Sequence, residues 1–178
     1  MKLKRKTFGI IIIGNEVLSG KTLDTNSNYL CKELYEIGME CKEVTVIQDI
    51  EGAIIEKVNL FRDKYDFVFT TGGIGPTHDD ITSQSISKAF NDKLVLNKIA
   101  KKRLEKHYSD ETLTSARLKM AYLPSKSIII DNPVSIAPGF SIENVHVFPG
   151  VPKIFQAMLK EFIKKVGKQK KFFKKNIT

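Results

Sequence analysis

The chain has 178 residues, a formal net charge of +9 and 42% hydrophobic residues. This length suits one domain with its own core, and no apolar run approaches the roughly 18 residues that a membrane-spanning helix needs. Residues 160–178 carry +7 and residues 1–6 carry +4, so the body between them sums to −2. Because a nucleic-acid-binding domain carries its positive charge on the folded face, the charge distribution argues against nucleic acid as a partner.

The ends of the chain and its cysteines indicate a cytoplasmic protein. The apolar run after the basic residues 1–6 is too short for a signal peptide. Cys31 and Cys41 fit no zinc or redox spacing, so we expect two small, buried or half-buried apolar side chains. We interpret 1–166 as one domain and 167–178 as a basic, mobile tail.

The first half of the chain alternates apolar runs with amphipathic segments. We predict strands at 8–13, 44–47 and 67–70, and helices at about 24–37, 51–64 and 82–90. The run 8–13 contains four isoleucines, which is typical of a strand covered on both faces. Three strand–helix units in succession predict a doubly wound α/β fold with a mostly parallel sheet.

The second half of the chain is less regular. We predict helices at 97–107 and 111–121, strands at 127–130 and 145–148, and a last helix that follows Pro152 and ends near Val166. Pro124 ends the second of these helices, and the prolines and glycine of 131–133 and 137–139 predict turns.

The stretch Thr70–Thr82 carries the strongest functional signal. Three of its residues, Gly72, Gly73 and Gly75, let the backbone take positive φ and let a ligand approach closely. Free N–H groups in such a turn, ahead of a helix N-terminus, suit a phosphate or another anion. No Gly-Lys-Ser/Thr closes the turn, and His78 stands where a dinucleotide fingerprint has its third glycine, so neither nucleotide motif fits.

Two adjacent carboxylates, Asp79 and Asp80, follow the glycines at the entrance to the helix. They could hold a divalent cation, Mg²⁺ or similar, against a bound phosphate. The alternative is a tight turn whose aspartates cap the following helix, a contribution of about 0.5–2 kcal/mol. The loop by itself does not decide between these two interpretations.

Polar loops follow all three predicted parallel strands, and ligands bind beyond the carboxyl ends of such strands. The first loop, residues 14–26, carries Glu16, Asp24 and Asn26, and the second carries Asp49. With the two aspartates of the glycine-rich turn, five carboxylates converge on one edge, which predicts a phosphate-plus-metal site. Each acid alone fits a surface residue or a helix cap.

Among the remaining candidates, His146 falls inside a predicted strand and is expected to be structural. His78 is either a phosphate donor or a residue that packs the loop. Arg117 and Lys119 could reach a ligand, but we expect them on a solvated helix face.

Four motifs, in their order and spacing, resemble the molybdopterin-binding domain. They are Gly14–Gly20 with Asp24–Asn26, Thr71–Thr82, Asn132-Pro133 with Ala137–Phe140, and Pro149–Pro152. The resemblance covers about residues 7–162. Within the superfamily, the chain looks most like the N-terminal domains of competence/damage-inducible protein A and of eukaryotic FAD synthase. Ser135-Ile136 stand where many members have Gly-Thr, and Ile154 stands where many have Glu.

The resemblance implies a three-layer α/β/α fold and a site for a phosphate-bearing pterin or nucleotide. The binding residues it implies are Gly14, Glu16, Ser19, Asp24, Asn26, Gly72, Gly73, Ile74, Gly75, Pro76, Thr77, Pro138 and Gly139. Asp49 and Asp80 fall at the positions of aspartates that act with magnesium in the adenylyltransferase branch. Together with Asp79 they form the expected set of metal ligands.

The activity implied is metal-dependent cleavage of a nucleotide pyrophosphate, of the ADP-ribose or FAD type. Two alternatives stay open: a non-catalytic protein that binds molybdopterin or a nucleotide, and an enzyme like molybdopterin adenylyltransferase. A homo-oligomer is expected from the resemblance and from the apolar faces of the predicted helical excursion 97–123.

Overall fold

A computed structural model describes residues 5–108 and 112–168, with side chains to residue 165. Its strands are β1 (Thr7–Ile13), β2 (Glu40–Ile47), β3 (Phe67–Thr71), β4 (Leu94–Leu96), β5 (Tyr122–Pro124), β6 (Ile128–Ile130), β7 (Gly139–Ile142) and β8 (Val145–Phe148). Its helices are α1 (Asn15–Leu18), α2 (Asn26–Glu36), α3 (Glu51–Lys64), α4 (Thr82–Ala89), α5 (Lys98–His107), α6 (Ser115–Lys119) and α7 (Pro152–Lys168).

The central sheet has six strands in the order β2–β1–β3–β8–β7–β6, and β4 and β5 form a separate antiparallel pair. Strands β2, β1, β3 and β8 run parallel, whereas β7 is antiparallel to both β8 and β6. The prediction of a mostly parallel α/β sheet is therefore confirmed. Because the four parallel strands end at one edge, the loops that follow them lie together there.

Side chains of β1 alternate between two helical layers. Ile11 and Ile13 pack with the buried residues of α3 and α4, whereas Ile10 and Ile12 pack with those of α2 and α7. Burial on both faces explains the near-continuous apolar run of this strand, because each buried side chain contributes about 1.5–3 kcal/mol. The three-layer α/β/α arrangement agrees with the expectation from the resemblance.

Some predicted elements of the first half have different bounds. Strand β2 begins at Glu40 rather than at Val44. It pairs with β1 along the whole length from Thr7 to Ile13, so the polar residues before Val44 are also part of the strand. The stretch predicted as a loop at 14–20 contains the short helix α1. Helix α3 coincides with the predicted 51–64.

The predicted helix 111–121 is wrong over much of its length. Helix α6 covers only Ser115–Lys119, and residues 122–124 form β5, which pairs with β4. The predicted start of that helix, and the break before it, lie among residues 109–111, outside the described chain. Sequence reasoning missed the three-residue strands β4 and β5, because so short a strand shows almost no alternation, whereas β6 was predicted from its run of three isoleucines.

Helix α7 runs on to Lys168, so Gly167 and Lys168, which were assigned to the tail, are helical. The rest of the predicted tail, residues 169–178, lies outside the described residues. Within 5–108 and 112–168, no helix combines the length and the apolar character needed to cross a membrane.

Candidate functional site

The glycine-rich turn follows β3 at the carboxyl edge of the sheet. Gly72 has a φ of 110°, and a Cβ there would lie 2.1 Å from the backbone oxygen of Ile13. Gly73 has a φ of 68°, and a Cβ there would lie 2.1 Å from Oγ1 of Thr82. Only glycine fits both positions, and the turn can therefore pass directly over the end of β1 and the start of α4.

The turn leaves a row of backbone donors free. The Gly72 amide donates to the carbonyl oxygen of Phe148 at 3.1 Å, so it is not available to a ligand, in contrast to the expectation from the sequence. Within the part of the chain that the structure describes, the amides of Gly73, Ile74 and Gly75 donate to no protein acceptor. Successive free amides of this kind suit a phosphate oxygen.

Asp80 closes the turn from the other side. Its Oδ2 accepts from the Thr77 amide at 2.8 Å and from the Thr77 hydroxyl at 2.5 Å. The N-cap of α4 is Ile81, with no side-chain hydrogen bond to the helix, so the interpretation of Asp80 as a helix cap is wrong. A Cβ on Gly75 would lie 2.7 Å from the same Oδ2, which puts this carboxylate beside the free amides.

Asp49 reaches the same turn from the loop between β2 and α3. Its Oδ2 accepts from the Asn15 amide at 2.7 Å, which holds the first residue of α1 and explains the helix there. Its Oδ1 lies 3.7 Å from the position of a Cβ on Gly73. The structure therefore brings Asp49 and Asp80 to the two sides of one glycine-rich turn.

Asp79, the third predicted metal ligand, makes a different contact from Asp49 and Asp80. It pairs with Nε2 of His78 at 2.8 Å, and both side chains are largely exposed. Among the described residues, no three or more His, Cys, Asp or Glu side chains are grouped to hold a metal ion. Mg²⁺ commonly uses one or two protein carboxylates and takes its other ligands from substrate phosphates and water, so Asp49 and Asp80 fit an ion that binds together with a pyrophosphate.

Asn26 connects the ends of three elements. It is only 4% exposed, and its side-chain amide donates to Oγ1 of Thr71 at 2.9 Å and to the carbonyl oxygen of Gly150 at 2.8 Å. Asp24 holds the start of α2, because its Oδ1 accepts from the amides of Asn26 at 3.0 Å and Ser27 at 3.2 Å. Both predicted binding residues therefore build the edge of the sheet on which the turn rests.

The other predicted residues of the first loop lie around a narrow space. Glu16 and Ser19 are exposed, and the Glu16 carboxylate folds over Gly14, where a Cβ would lie 2.6 Å from Oε1. A cavity of about 40 Å³ extends from Glu16 and Asp24 to Gly72. That volume holds water but not a pterin or nucleotide.

Pro138 and Gly139 reach the same edge but are used in packing. A Cβ on Gly139 would lie 2.3 Å from the carbonyl oxygen of Val147, so glycine here permits the pairing of β7 with β8. Pro138 is buried. The preceding turn is held by Asn132, whose side chain donates to the carbonyl oxygen of Ala137 at 2.7 Å. Contact of Pro138 or Gly139 with a ligand stays a prediction.

Pro76 and Thr77 form the exposed outer part of the turn, and Lys119 reaches it from α6. The Lys119 ammonium donates to the Thr77 carbonyl oxygen at 2.6 Å, although we expected it on a solvated face. Arg117 is used differently, because its guanidinium stacks on the Tyr108 ring at 4.5 Å. Arg117 and Lys119 lie in the same short helix, and no sequence pattern shows which of them contacts the turn. Only the tertiary structure shows that it is Lys119.

A larger cavity, about 250 Å³, lies away from this edge between β6, β7, β8 and α7, and none of the predicted site residues lines it. His146 lies beside it, packed against the rings of Phe67, Phe69 and Phe162. Its Nδ1 lies 2.8 Å from the Ser141 hydroxyl, and burial lowers the pKa of His146 to about 3. The imidazole is therefore neutral near pH 7 and structural, as predicted.

A family described as "Probable molybdopterin binding domain" matches residues 9–169, which include every loop of this edge. The chain belongs to the molybdopterin-binding domain family. The resemblance that the motifs indicated is confirmed.

Relatives of this molybdopterin-binding domain differ in length. A protein of Archaeoglobus fulgidus is 41% identical over 161 residues, which are 88% of this chain and 69% of the relative. A Clostridium botulinum protein that bears the name competence-damage inducible protein is 38% identical over 155 residues, 84% of this chain and 38% of the relative. The chain therefore spans well under half of the clostridial protein.

Solved structures of the same kind show the shared fold. CinA from Thermoplasma acidophilum, described as a protein of unknown function, is 33% identical with a TM-score of 0.85, over 90% of this chain and 98% of that one. MoaB from Pyrococcus furiosus, described as a tungsten cofactor synthesizing protein, is 20% identical with a TM-score of 0.57, over 96% of this chain and 98% of that one. At this lower identity the likeness shows the fold alone.

Proposed function

We propose that this molybdopterin-binding domain binds a phosphate-bearing nucleotide or pterin across the glycine-rich turn, and that it hydrolyses the pyrophosphate of a nucleotide of the ADP-ribose or FAD type with a divalent metal. One observation carries the proposal. The free amides of Gly73, Ile74 and Gly75 belong to a turn that the Asp49 carboxylate approaches at Gly73 and the Asp80 carboxylate at Gly75. Donors for an anion and oxygen ligands for a cation thus lie side by side, as a metal–pyrophosphate complex requires.

The residues of the turn orient the ligand in this proposal. The amides of Gly73 to Gly75 bind the oxygens of one phosphate, and the Lys119 ammonium, next to the Thr77 carbonyl oxygen, offsets negative charge. Asp80 is held by the Thr77 amide and hydroxyl before any ligand arrives, so its orientation costs little during the reaction. Asp49 and Asp80 would hold the ion, which when bound polarises the pyrophosphate and lowers the pKa of a bound water.

The second candidate is a protein that binds the same ligands without turnover. It is favoured by the pairing of Asp79 with His78 and by the absence of a three-carboxylate group among the described residues, because the ion must then rely on ligand oxygens. An adenylyltransferase-like enzyme ranks third, since the cavity of about 40 Å³ beside the turn offers no enclosed space for a pterin.

The test is a screen of nucleotide diphosphates, including ADP-ribose and FAD, against Mg²⁺ and other divalent ions, with release of AMP as the readout. We expect release that requires both the protein and a metal. Binding in calorimetry without turnover under any metal would favour the second candidate. The absence of both binding and turnover would contradict both.

We also propose that the chain forms a homo-oligomer through the excursion that carries β4, α5 and β5. Leu94, Val95, Ile99 and Tyr122 are exposed there, and exposed apolar side chains in one region are typical of an interface. Sedimentation velocity at micromolar concentration should show a species larger than the monomer. A monomer alone would contradict this proposal.

A further inference from the structure

The cavity between β6, β7, β8 and α7 has apolar walls and opens at the surface. Its volume is about 250 Å³, and Ile128, Ile129, Ile130 and Phe162 supply apolar lining. Ile128 and Glu143 line it and are exposed, so a small molecule can enter beside β6, the edge strand of the sheet. Because an apolar cavity of about 150 Å³ already holds benzene, this one has room for two fused rings.

His146, inside this cavity, carries a polar atom without a partner. The imidazole lines the cavity and is only 1% exposed. Its Nδ1 lies 2.8 Å from the hydroxyl of Ser141, which lines the same cavity, whereas its Nε2 is buried and has no hydrogen-bond partner among the described residues. The rings of Phe67, Phe69 and Phe162 pack around the imidazole and offer no strong hydrogen-bonding group. A molecule in the cavity can supply the missing partner and recover the cost of the buried, unpaired nitrogen.

The charged side chains of the lining do not call for a charged ligand. The Asp131 carboxylate accepts from Arg103 at 2.7 Å and also from Lys165, and the Glu161 carboxylate accepts from Lys164 at 2.8 Å. The remaining carboxylate of the lining belongs to the exposed turn between β7 and β8, where water solvates it. An uncharged molecule therefore suits the apolar walls and the neutral imidazole without disturbing these pairs.

We propose that this cavity is a binding site for a small, uncharged aromatic molecule of one or two rings, whose polar group forms a hydrogen bond with Nε2 of His146. The proposal does not depend on the proposed function, because no residue of the glycine-rich turn lines the cavity. The rings of the ligand pack against the isoleucines of β6 and the Phe162 ring. A neutral imidazole donates from one nitrogen and accepts at the other, so the bond between Nδ1 and Ser141 decides whether the ligand must accept or donate at Nε2.

Three bicyclic probes of similar shape test the proposal by NMR titration of the wild-type chain. Indole offers a hydrogen-bond donor, quinoline offers an acceptor, and indene offers neither. We expect either indole or quinoline to bind at least about fivefold more tightly than indene. In protein labelled with ¹⁵N-histidine, the tighter probe should shift the Nε2 signal of His146, which is identified by its loss in His146→Phe.

Two histidine variants complete the test. His146→Phe removes the polar atom and keeps an aromatic ring, so the preference of the better probe over indene should fall by at least about fivefold. His107→Phe, on the exposed last turn of α5, is the matched control and should keep the wild-type preference. The preference is a ratio of affinities within one protein, so differences in the hydrophobicity of the probes cancel between proteins.

Three outcomes would overturn the proposal. No probe binds the wild type, or indole and quinoline bind no more tightly than indene and leave the Nε2 signal of His146 unmoved, which would mean that water alone satisfies the imidazole. The third outcome is an affinity that falls as the protein concentration rises, which would mean that a second copy of the chain covers the cavity. The Nε2 signal of the wild type decides the matter even if His146→Phe does not fold.

Discussion

The carboxylate of Asp80 accepts a hydrogen bond from the Thr77 backbone amide at 2.8 Å and so closes the glycine-rich turn on itself. The bond spans three residues and leaves α4 without a side-chain cap. Asp80 thus shapes the surface on which a phosphate would rest, and its charge lies beside the free amides. A variant that keeps the hydrogen bond to Thr77 but removes the charge of Asp80 can therefore lose activity without losing stability.

Asp80→Asn should remove the charge while it keeps an oxygen that accepts from Thr77. We expect the free energy of unfolding to change by less than about 1 kcal/mol. Metal-dependent pyrophosphate cleavage should fall by about a hundredfold or more, equivalent to roughly 2.7 kcal/mol of barrier. Binding through the backbone amides should weaken much less. Steady-state kinetics at saturating metal and calorimetry measure the two effects.

Asp63→Asn is the matched control for this change. Asp63 lies in the last turn of α3, at the opposite edge of the sheet from the site, so the same loss of charge should leave turnover unchanged. Wild-type turnover in Asp80→Asn at matched stability would rule out the catalytic assignment of Asp80.

Gly72→Ala should damage the fold as well as the site. A Cβ at this position meets the Ile13 carbonyl oxygen at 2.1 Å, and the φ of 110° is unfavourable for any other residue. We expect a loss of about 3 kcal/mol or more of unfolding free energy, because β3 must move away from β1. Urea denaturation measures this loss.

Gly38→Ala measures the cost of a positive φ without the steric clash that Gly72→Ala adds. Gly38 also has positive φ, 85°, but a Cβ there meets no atom within 4 Å. Gly38→Ala should lower the free energy of unfolding by about 1 kcal/mol, which is the cost of the positive φ alone. Equal costs at Gly38 and Gly72 would show that the contact with Ile13 relaxes freely.

Lys119→Met should weaken the binding of a nucleotide diphosphate by about tenfold, or roughly 1.4 kcal/mol, because the ammonium near the Thr77 carbonyl oxygen is lost. The salt dependence of the dissociation constant should become shallower. Lys119→Arg should restore much of the affinity. Lys98→Met, on the exposed start of α5, is the control and should bind as wild type does. Identical affinities in both Met variants would exclude Lys119 from the site.

His146 should make stability depend on pH. Its pKa is about 3 in the folded chain because it is buried, against an ordinary value of 6.5. Between these values the unfolded chain binds one more proton than the folded chain, so stability is full above pH 6.5 and falls as pH decreases. The slope should approach about 1.4 kcal/mol per pH unit below pH 6.

His146→Phe tests this slope, because it removes the titration but keeps an aromatic ring among its aromatic neighbours. Urea denaturation of both proteins at pH 7, 6 and 5 should show that the stability of the wild type falls more steeply. The carboxylates common to both proteins cancel in the difference. Parallel stability curves for the two proteins would show that the pKa of His146 is the same in the folded and unfolded chains, which would contradict the prediction.

Regular elements with long apolar patterns could be read from the sequence. Helix α3 was predicted with its observed bounds because Ile54, Val58 and Phe61 repeat along one face, and all three are buried in the structure. The glycine-rich turn was also predicted, since positive φ at Gly72 and Gly73 is a local requirement that only glycine meets well. The family followed from motif order, which needs no coordinates.

The tertiary structure alone decided which polar groups meet. Asp49 holds Asn15 from 34 residues away, Lys119 reaches Thr77 from 42 residues away, and no spacing in the sequence indicates either bond. Such contacts depend on how β2, β3 and α6 pack, because a hydrogen bond needs atoms within about 3 Å while a periodic pattern specifies only a face. The sequence by itself therefore determined the layers and the edge at which a ligand would bind, and packing decided which side chains close the turn and which remain available to a ligand.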